Sequence, residues 1–366
     1  MRIVVAPQEF KGTLTAAEAT AAIAEGAQRA APDAEIEPVP LSDGGPGLVE
    51  AILASRPGRL MRNAVQDPLG RPVDAAWGLL DDGTAVIDMA AASGLTLLRE
   101  EERDASVTST YGVGQLIRAA LDAGSRRIIV GVGGSATNDG GAGMCAAVGA
   151  RFLDADGREL PPGGAALTCL ERIDVSGLDP RLSDAHVVAA TDVRNPLCGL
   201  EGASIVYGPQ KGATLEIART LDAALRRYGE IVERDLDVRV IDVPGAGAAG
   251  GLGAGLIAFL GAQVRSGFEI VAEVSGLRER LRGADLLLTG EGRLDRQTAY
   301  GKTVARAAAM AREEGVAVLV VAGSLGEGWE DVRALVDGVE VAGAGRPEEA
   351  VAAATERVVA AWRATS

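Results

Sequence analysis

Histidine is nearly absent from this chain of 366 residues, and lysine is almost as scarce. The single histidine, His186, stands before an apolar strand in DAHVVAAT and reads as a structural imidazole. A Ser-His-Asp triad or a multi-histidine metal centre is therefore disfavoured. Cysteine occurs only at Cys145, Cys169 and Cys198. Three widely spaced thiols suit neither a disulfide framework nor a zinc site, so buried free thiols are expected. No stretch approaches the ~18 uninterrupted apolar residues of a membrane span, and MRIVVAPQEF carries too short an apolar run for a signal peptide. Positive charge is in deficit as well: the formal net charge is -15. Nucleic acid and anionic membrane are excluded as partners on that ground, because each demands a basic surface. Small anionic substrates stay open if basic residues are focused locally. A soluble cytoplasmic protein follows as the expectation, with 47% hydrophobic residues to fill two ordinary domains; a homodimer is compatible with it.

Lysine is kept in three places, Lys11, Lys211 and Lys302, each next to glycine in FKG, QKG and YGK, while arginine fills every other basic position. A lysine is a compact point charge and an arginine a broad fork, so the two differ in a tight phosphate site.

Strand and helix patterns alternate at both ends of the chain. RIVVA leads through PQEFKG into a helix that Thr15 and Glu18 open as a capping box and Pro32 stops. Short alternating strands split by PLG and DDG then read as a meander, followed by further strand-helix alternation and a closing helix from about residue 347. The predicted fold is α/β with parallel sheets covered on both faces. One domain is taken to be inserted into another, residues 1–60 with 281–366 forming the first and 61–280 the second.

Loops at the carboxyl ends of parallel strands are where such folds bind ligands. Five candidates stand out: LSDGGPG at 41–47, GVGGSATNDGGAG at 131–143, TDVRNPLCG at 191–199, PGAGAAGGLGAG at 244–255 and TGEGRLD at 289–295. Glycines permit close backbone approach, so stacked N–H groups can cradle phosphate oxygens. Asp43, Asp139, Asp192, Glu291 and Asp295 in the same loops can hold magnesium or accept a hydroxyl proton. Together with the lysines these form a phosphoryl-transfer inventory. A dinucleotide oxidoreductase competes, since GAGAAG at 245–250 and GVGGSA at 131–136 match the fingerprint, but Pro244 precedes the first and the second runs on into Asn138, Asp139 and two glycines. A binding module without chemistry is opposed by the number of carboxylates.

The segments APQEFKGTLTAAEA, GVGGSATNDGGAGMCAAVGARFLDADG, NPLCGLEGAS, YGPQKGA, PGAGAAGGLGAGL and TGEGRLDRQTAYGK together resemble the bacterial glycerate kinase family of the tartronate-semialdehyde and glycolate pathways. The resemblance runs in order from residue 1 to beyond 320. It implies ATP- and Mg2+-dependent phosphorylation of D-glycerate, at the 2-hydroxyl in members of this type, by a flavodoxin-like domain and an inserted one with the active site in the cleft. Departures are concentrated. Gln8 and Glu9 replace the usual Asp-Ser, DGGPGL replaces Asp-Gly-Gly-Glu-Gly-Thr, and Tyr111 and Tyr300 replace an arginine and a histidine suited to a substrate carboxylate. The loops at 131–143 and 244–255 are intact. The acceptor is accordingly D-glycerate, or another small hydroxy acid or polyol, with 3-phosphorylation a further alternative.

Gly133, Gly134, Ser135 and Asn138, with Gly247, Gly250 and Gly251, are expected at the phosphates. Asp192, Lys11, Asp139 and Lys211 are the expected catalytic groups, Asp139 and Asp192 also serving magnesium. Glu9, Asp43, Tyr111, Glu291, Arg293, Tyr300 and Lys302 are expected at the acceptor. Gly301, Lys302 and Thr303 imitate the end of a P-loop, but the position that must open it with glycine is Arg296, so 298–303 is instead expected to be an anion clamp at a helix start.

Overall fold

A computed structural model describes residues 1–299 and 303–365. Its first strands are β1 (Arg2–Val5), β2 (Glu35–Pro38), β3 (Gly58–Gln66), β4 (Pro72–Leu80), β5 (Thr84–Asp88), β6 (Arg127–Gly131) and β7 (Arg151–Leu153). They are followed by β8 (Arg172–Asp174), β9 (His186–Ala190), β10 (Gln263–Arg265), β11 (Leu286–Leu294), β12 (Ala317–Leu325) and β13 (Gly338–Val341). Two compact units result, one of residues 1–43, 50–57 and 267–366, the other of 44–49 and 58–266.

The first unit is built on a five-stranded sheet in the order β13-β12-β11-β1-β2, parallel throughout. Its central strands pass through an apolar core, with Ile3, Val5, Leu286, Leu288 and Val321 fully buried, as a sheet covered on both faces requires. The helix Ala16–Ala30 begins with the anticipated capping box: the Glu18 N–H donates to Thr15 Oγ1 at 3.2 Å and the Thr15 N–H to Glu18 Oε2 at 2.8 Å. It packs on the closing helix Pro347–Arg363, and Gly26 permits the approach: a Cβ there would lie 2.1 Å from Ala352 O.

The second unit carries a six-stranded sheet, β10-β9-β6-β5-β4-β3, and a small antiparallel pair, β7-β8. The meander read from PLG and DDG is the antiparallel run β3-β4-β5. From β5 onward the pairing is parallel, through β6 and β9 to β10.

Three expectations are corrected. TGEGRL is not a loop but the second half of β11, paired with β12 as far as Leu294. Its glycines serve close strand approach, since a Cβ on Gly290 would stand 2.3 Å from Val321 O. Most of PGAGAAGGLGAG is helical: the helix Ala248–Leu260 is interrupted by left-handed residues at Ala249, Gly250 and Gly251. Cys169 is exposed, whereas Cys145 and Cys198 are buried.

Candidate active site

In the second unit four neighbouring parallel strands end abreast. The last residues of β5, β6, β9 and β10 are Asp88, Gly131, Ala190 and Arg265, aligned in register across the sheet. The glycine loop 131–143 and the segment beginning Thr191-Asp192 therefore leave one carboxyl edge together, where parallel sheets present their ligand crevices. The sequence alone does not single out Asp88 or Arg265. An acid closing the apolar strand TAVID was the available signal for Asp88, and only the register of a three-residue strand brings Arg265 to the same edge. Asp88 Oδ2 accepts the Gly47 N–H at 3.0 Å, drawing the 44–47 segment onto this edge. Gly133 is close to that segment too, since a Cβ on it would come within 2.4 Å of Gly45 Cα.

The loop separates into residues that face outward and residues that hold it. Gly134, left-handed at φ +70°, is exposed and Gly133 half-buried; Ala142 and Gly143 reopen to solvent at the other end. Everything between is buried. The Asp139 carboxylate accepts from Thr110 N–H at 2.8 Å, Thr110 Oγ1 at 2.9 Å, Gly141 N–H at 3.1 Å and Gly143 N–H at 3.2 Å. Burial raises its pKa while these donors lower it, with burial the larger effect. Asn138 donates to Ser204 Oγ at 2.9 Å. Lys211 is 1% exposed; its Nζ donates to Ser135 Oγ and to Thr137 O, both at 2.7 Å. Burial depresses its pKa to about 7, partly offset by the charge of Asp139.

These positions revise the expected roles. Asn138, Asp139 and Lys211 lie beneath the loop and brace it, so Asp139 has its oxygens engaged by protein donors instead of standing open for magnesium. Gly247, Gly250 and Gly251, expected at the phosphates, are buried and closely packed. A Cβ on Gly250 would meet Thr137 O at 2.0 Å, one on Gly247 would meet Pro196 O at 2.1 Å, and one on Gly251 would meet Gly140 Cα at 2.8 Å. Gly133, Gly134 and the half-buried Asp192 remain accessible to a ligand. Among the described residues no group of three or more His, Cys, Asp or Glu side chains is placed to hold a metal. Magnesium suits such a site nonetheless, because it is usually carried by one or two carboxylates with phosphate oxygens and water completing the shell.

The first unit brings a second set of expected residues together. Strand order reverses between β1 and β11, and the chain leaving β1 passes along the end of β11. Gln8 N–H donates to Gly290 O at 3.0 Å, and Gln8 Nε2 to Glu291 Oε2 at 3.4 Å. Glu291 is buried and its Oε1 accepts from Thr298 Oγ1 at 2.6 Å. Gly292 passes so near the turn that a Cβ would be 2.9 Å from Lys11 N. Arg293 is exposed, with Nε 4.0 Å from Asp295 Oδ2. Glu9 is half-buried, and burial together with the negative charge of Asp43 raises its pKa, Lys11 offsetting part of the effect. Glu9, Lys11, Asp43, Glu291, Arg293 and Asp295 are thus gathered at this switch point. Tyr111, expected beside the acceptor, lines two cavities in the second unit. Tyr300 and Lys302, and with them the anion clamp, lie outside the described residues.

Similarity to known proteins assigns the chain that carries these two edges to a family. The sequence profile of the glycerate kinase family matches residues 3–364. A glycerate kinase of Halalkalibacterium halodurans is 49% identical over 331 residues, covering 90% of this chain and 87% of the relative. The glycerate 2-kinase of Escherichia coli is 49% identical over 326 residues, covering 89% and 86%. The crystal structure of a candidate glycerate kinase 2 from Salmonella typhimurium LT2 superposes with a TM-score of 0.89 at 46% identity, covering 100% of this chain and 99% of the other. Matches of this length and identity, spanning every element that builds the two edges, make the chain an enzyme, a kinase, and a member of the glycerate kinase family.

Proposed function

We propose that the enzyme transfers the γ-phosphoryl group of MgATP to the 2-hydroxyl of D-glycerate, giving 2-phosphoglycerate and ADP. The observation that carries this reading is the carboxyl edge of β5, β6, β9 and β10, where Asp88, the open Gly133-Gly134 bend, Asp192 and Arg265 come together on one sheet. Similarity to the Escherichia coli glycerate 2-kinase supports the choice of hydroxyl.

When bound, MgATP supplies the transferred group and a cation that neutralises its charge. The chain's own residues then have separable tasks. Gly133 and Gly134 leave room for phosphate oxygens to meet the backbone, and Lys211, Asp139 and Thr110 keep that bend in one shape. Asp192 is the accessible carboxylate for magnesium. In the first unit Lys11 and Arg293 are the described cations at the switch point suited to a substrate carboxylate. Glu9, with its raised proton affinity, is the carboxylate best fitted to take the hydroxyl proton. The same Glu9, repelled by Asp43, favours a second reading in which the acceptor is a less anionic hydroxy compound. No helix among the described residues is long and apolar enough to cross a membrane, and a cytoplasmic location belongs to the proposal.

An ATP-consumption screen over D-glycerate, L-glycerate, tetronates and small polyols tests it, with 31P NMR identifying the phosphorylated carbon. D-Glycerate giving 2-phosphoglycerate is the expected result. Turnover of a polyol alone would select the second reading, and turnover of none would refute both.

A further inference from the structure

Behind the outer end of the glycine loop lie two cavities, of about 290 Å³ and about 480 Å³, that share Ser109, Tyr111 and Pro162 in their walls. We propose that the smaller cavity, walled by Tyr111, Phe152 and the Leu160–Gly163 segment, receives the base of the nucleotide donor. The inference rests on the nucleotide-dependent reading given above.

Three observations point to a nucleobase. The first is the chemistry of the walls. Among the described residues that line the two cavities, Glu159 is the one charged side chain, and it is engaged by Arg151 at 2.7 Å. A walled space without a cation offers nothing to a carboxylate or a phosphate, so neither glycerate nor a polyphosphate chain is suited to it. Tyr111 and Phe152 contribute aromatic side chains, Leu160 and Leu167 apolar ones, and Ser109 a hydroxyl-bearing one, a mixture suited to a flat heteroaromatic ring.

The second observation is size. A volume of about 290 Å³ lies at the lower end of ligand pockets and suits one fused ring system, not a whole nucleotide. The third is continuity with the phosphate-facing loop. Ala142 and Gly143, where the loop reopens to solvent, line the smaller cavity. The segment carrying Tyr111 is tied to the loop at several points: Thr108 Oγ1 donates to Ala136 O at 2.9 Å, Thr110 to Asp139, and Ser93 Oγ reaches Ser109 O at 3.3 Å beside Ser135. A ligand with its base against Tyr111 would therefore lie beside the Ala142–Gly143 end of the loop.

The test compares ATP, CTP and UTP as donors for the intact wild-type enzyme and for two variants, Tyr111→Ala, which removes an aromatic side chain, and Ala146→Phe, which fills the cavity from its helical wall. Both variants are checked by circular dichroism, and inorganic tripolyphosphate serves as an inhibitor lacking a base. The expected result is a rise in KM for ATP of about 5-fold or more, a collapse of base preference, and unchanged tripolyphosphate inhibition. Should Tyr111→Ala misfold, Ala146→Phe and tripolyphosphate still decide the matter. Retained base preference and ATP KM in a folded variant would overturn the inference while leaving ATP use by the wild type intact. A rise in the acceptor KM alone would also overturn it, by assigning the cavity to the acceptor. Failure of the wild type to use any nucleoside triphosphate would refute the functional reading itself.

Discussion

Lys211 is a buried titratable group beneath the glycine loop, and its burial makes a quantitative prediction. The depressed pKa of about 7, against 10.5 for an ordinary lysine, means that the ammonium form is disfavoured in the folded protein. Between those two values the unfolded chain binds a proton at this site that the folded chain largely does not. Stability therefore rises with pH across this window, by about 1.4 kcal/mol per pH unit from this group. Below pH 7 the full penalty of about 5 kcal/mol is present, and it fades as the pH approaches 10.5. Opposing it, the Nζ hydrogen bonds to Ser135 Oγ and Thr137 O, at 2.7 Å, satisfy buried acceptors whose loss costs about 1–3 kcal/mol. Lys211→Met removes both effects, so the difference in unfolding free energy between wild type and variant should move in favour of the wild type by about 1.4 kcal/mol per unit between pH 7.5 and 9.5. Urea titrations at three pH values measure it. The scarcity of lysine supplies a direct assay: protein labelled at lysine 13Cε contains only three labelled residues, Lys11, Lys211 and Lys302, and the variant identifies the signal of Lys211 by its loss. That signal should titrate with a midpoint near 7. Parallel stability profiles, or a Lys211 signal that does not titrate between pH 6 and 8.5, would refute the reasoning.

Other perturbations separate bracing from ligand contact. Gly250→Ala sets a Cβ 2.0 Å from Thr137 O at a backbone φ of +68°, and should destabilise the protein by more than about 4 kcal/mol, read as a collapse of soluble yield or a large fall in melting temperature. Gly134→Ala alters the exposed bend, where the Cβ meets the edge of Pro46 at 2.8 Å; it should leave a folded protein with turnover reduced about 10²-fold, and normal turnover would remove this bend from the site. Asp139→Ala strips four donors of their acceptor and should lower the unfolding free energy by about 3 kcal/mol or more, seen as a fall in melting temperature whether or not magnesium is present; a loss seen only in magnesium binding would support the metal-ligand role. Glu9→Gln should raise the unfolding midpoint at pH 7.5, where the charged form is opposed by burial and Asp43, and change little near pH 4, where the carboxyl is already protonated; equal shifts at both would contradict the raised pKa.

Part of this site was readable along the chain. Glycine loop 131–143, the capping box at Thr15 and Glu18, and the meander all depend on local chemistry, which neighbouring residues express without a tertiary context. Other features were illegible for a definable reason. Asp139 and Asp192 have the same chemistry in sequence, since a carboxylate in a glycine-rich loop can cap backbone donors or bind an ion equally well. Burial separates them: Asp139 is 1% exposed and surrounded by its own loop, whereas Asp192 is only partly covered. The glycines of TGEG likewise read as a turn, and only the facing strand β12 shows that they are there to let backbones approach.

By itself, the sequence determined the α/β alternation, the glycine loop 131–143 and the kinase family, because each is written in contiguous motifs whose spacing is set by backbone geometry. Tertiary structure decided which of those residues are buried and which stay open to solvent. Pairing of β5, β6, β9 and β10 aligns Asp88, the glycine bend, Thr191-Asp192 and Arg265, residues up to 177 positions apart, on one sheet edge. The same folding encloses Lys211 beneath the loop it braces. Register and burial are properties of segments brought together from distant parts of the chain, and no local pattern carries them.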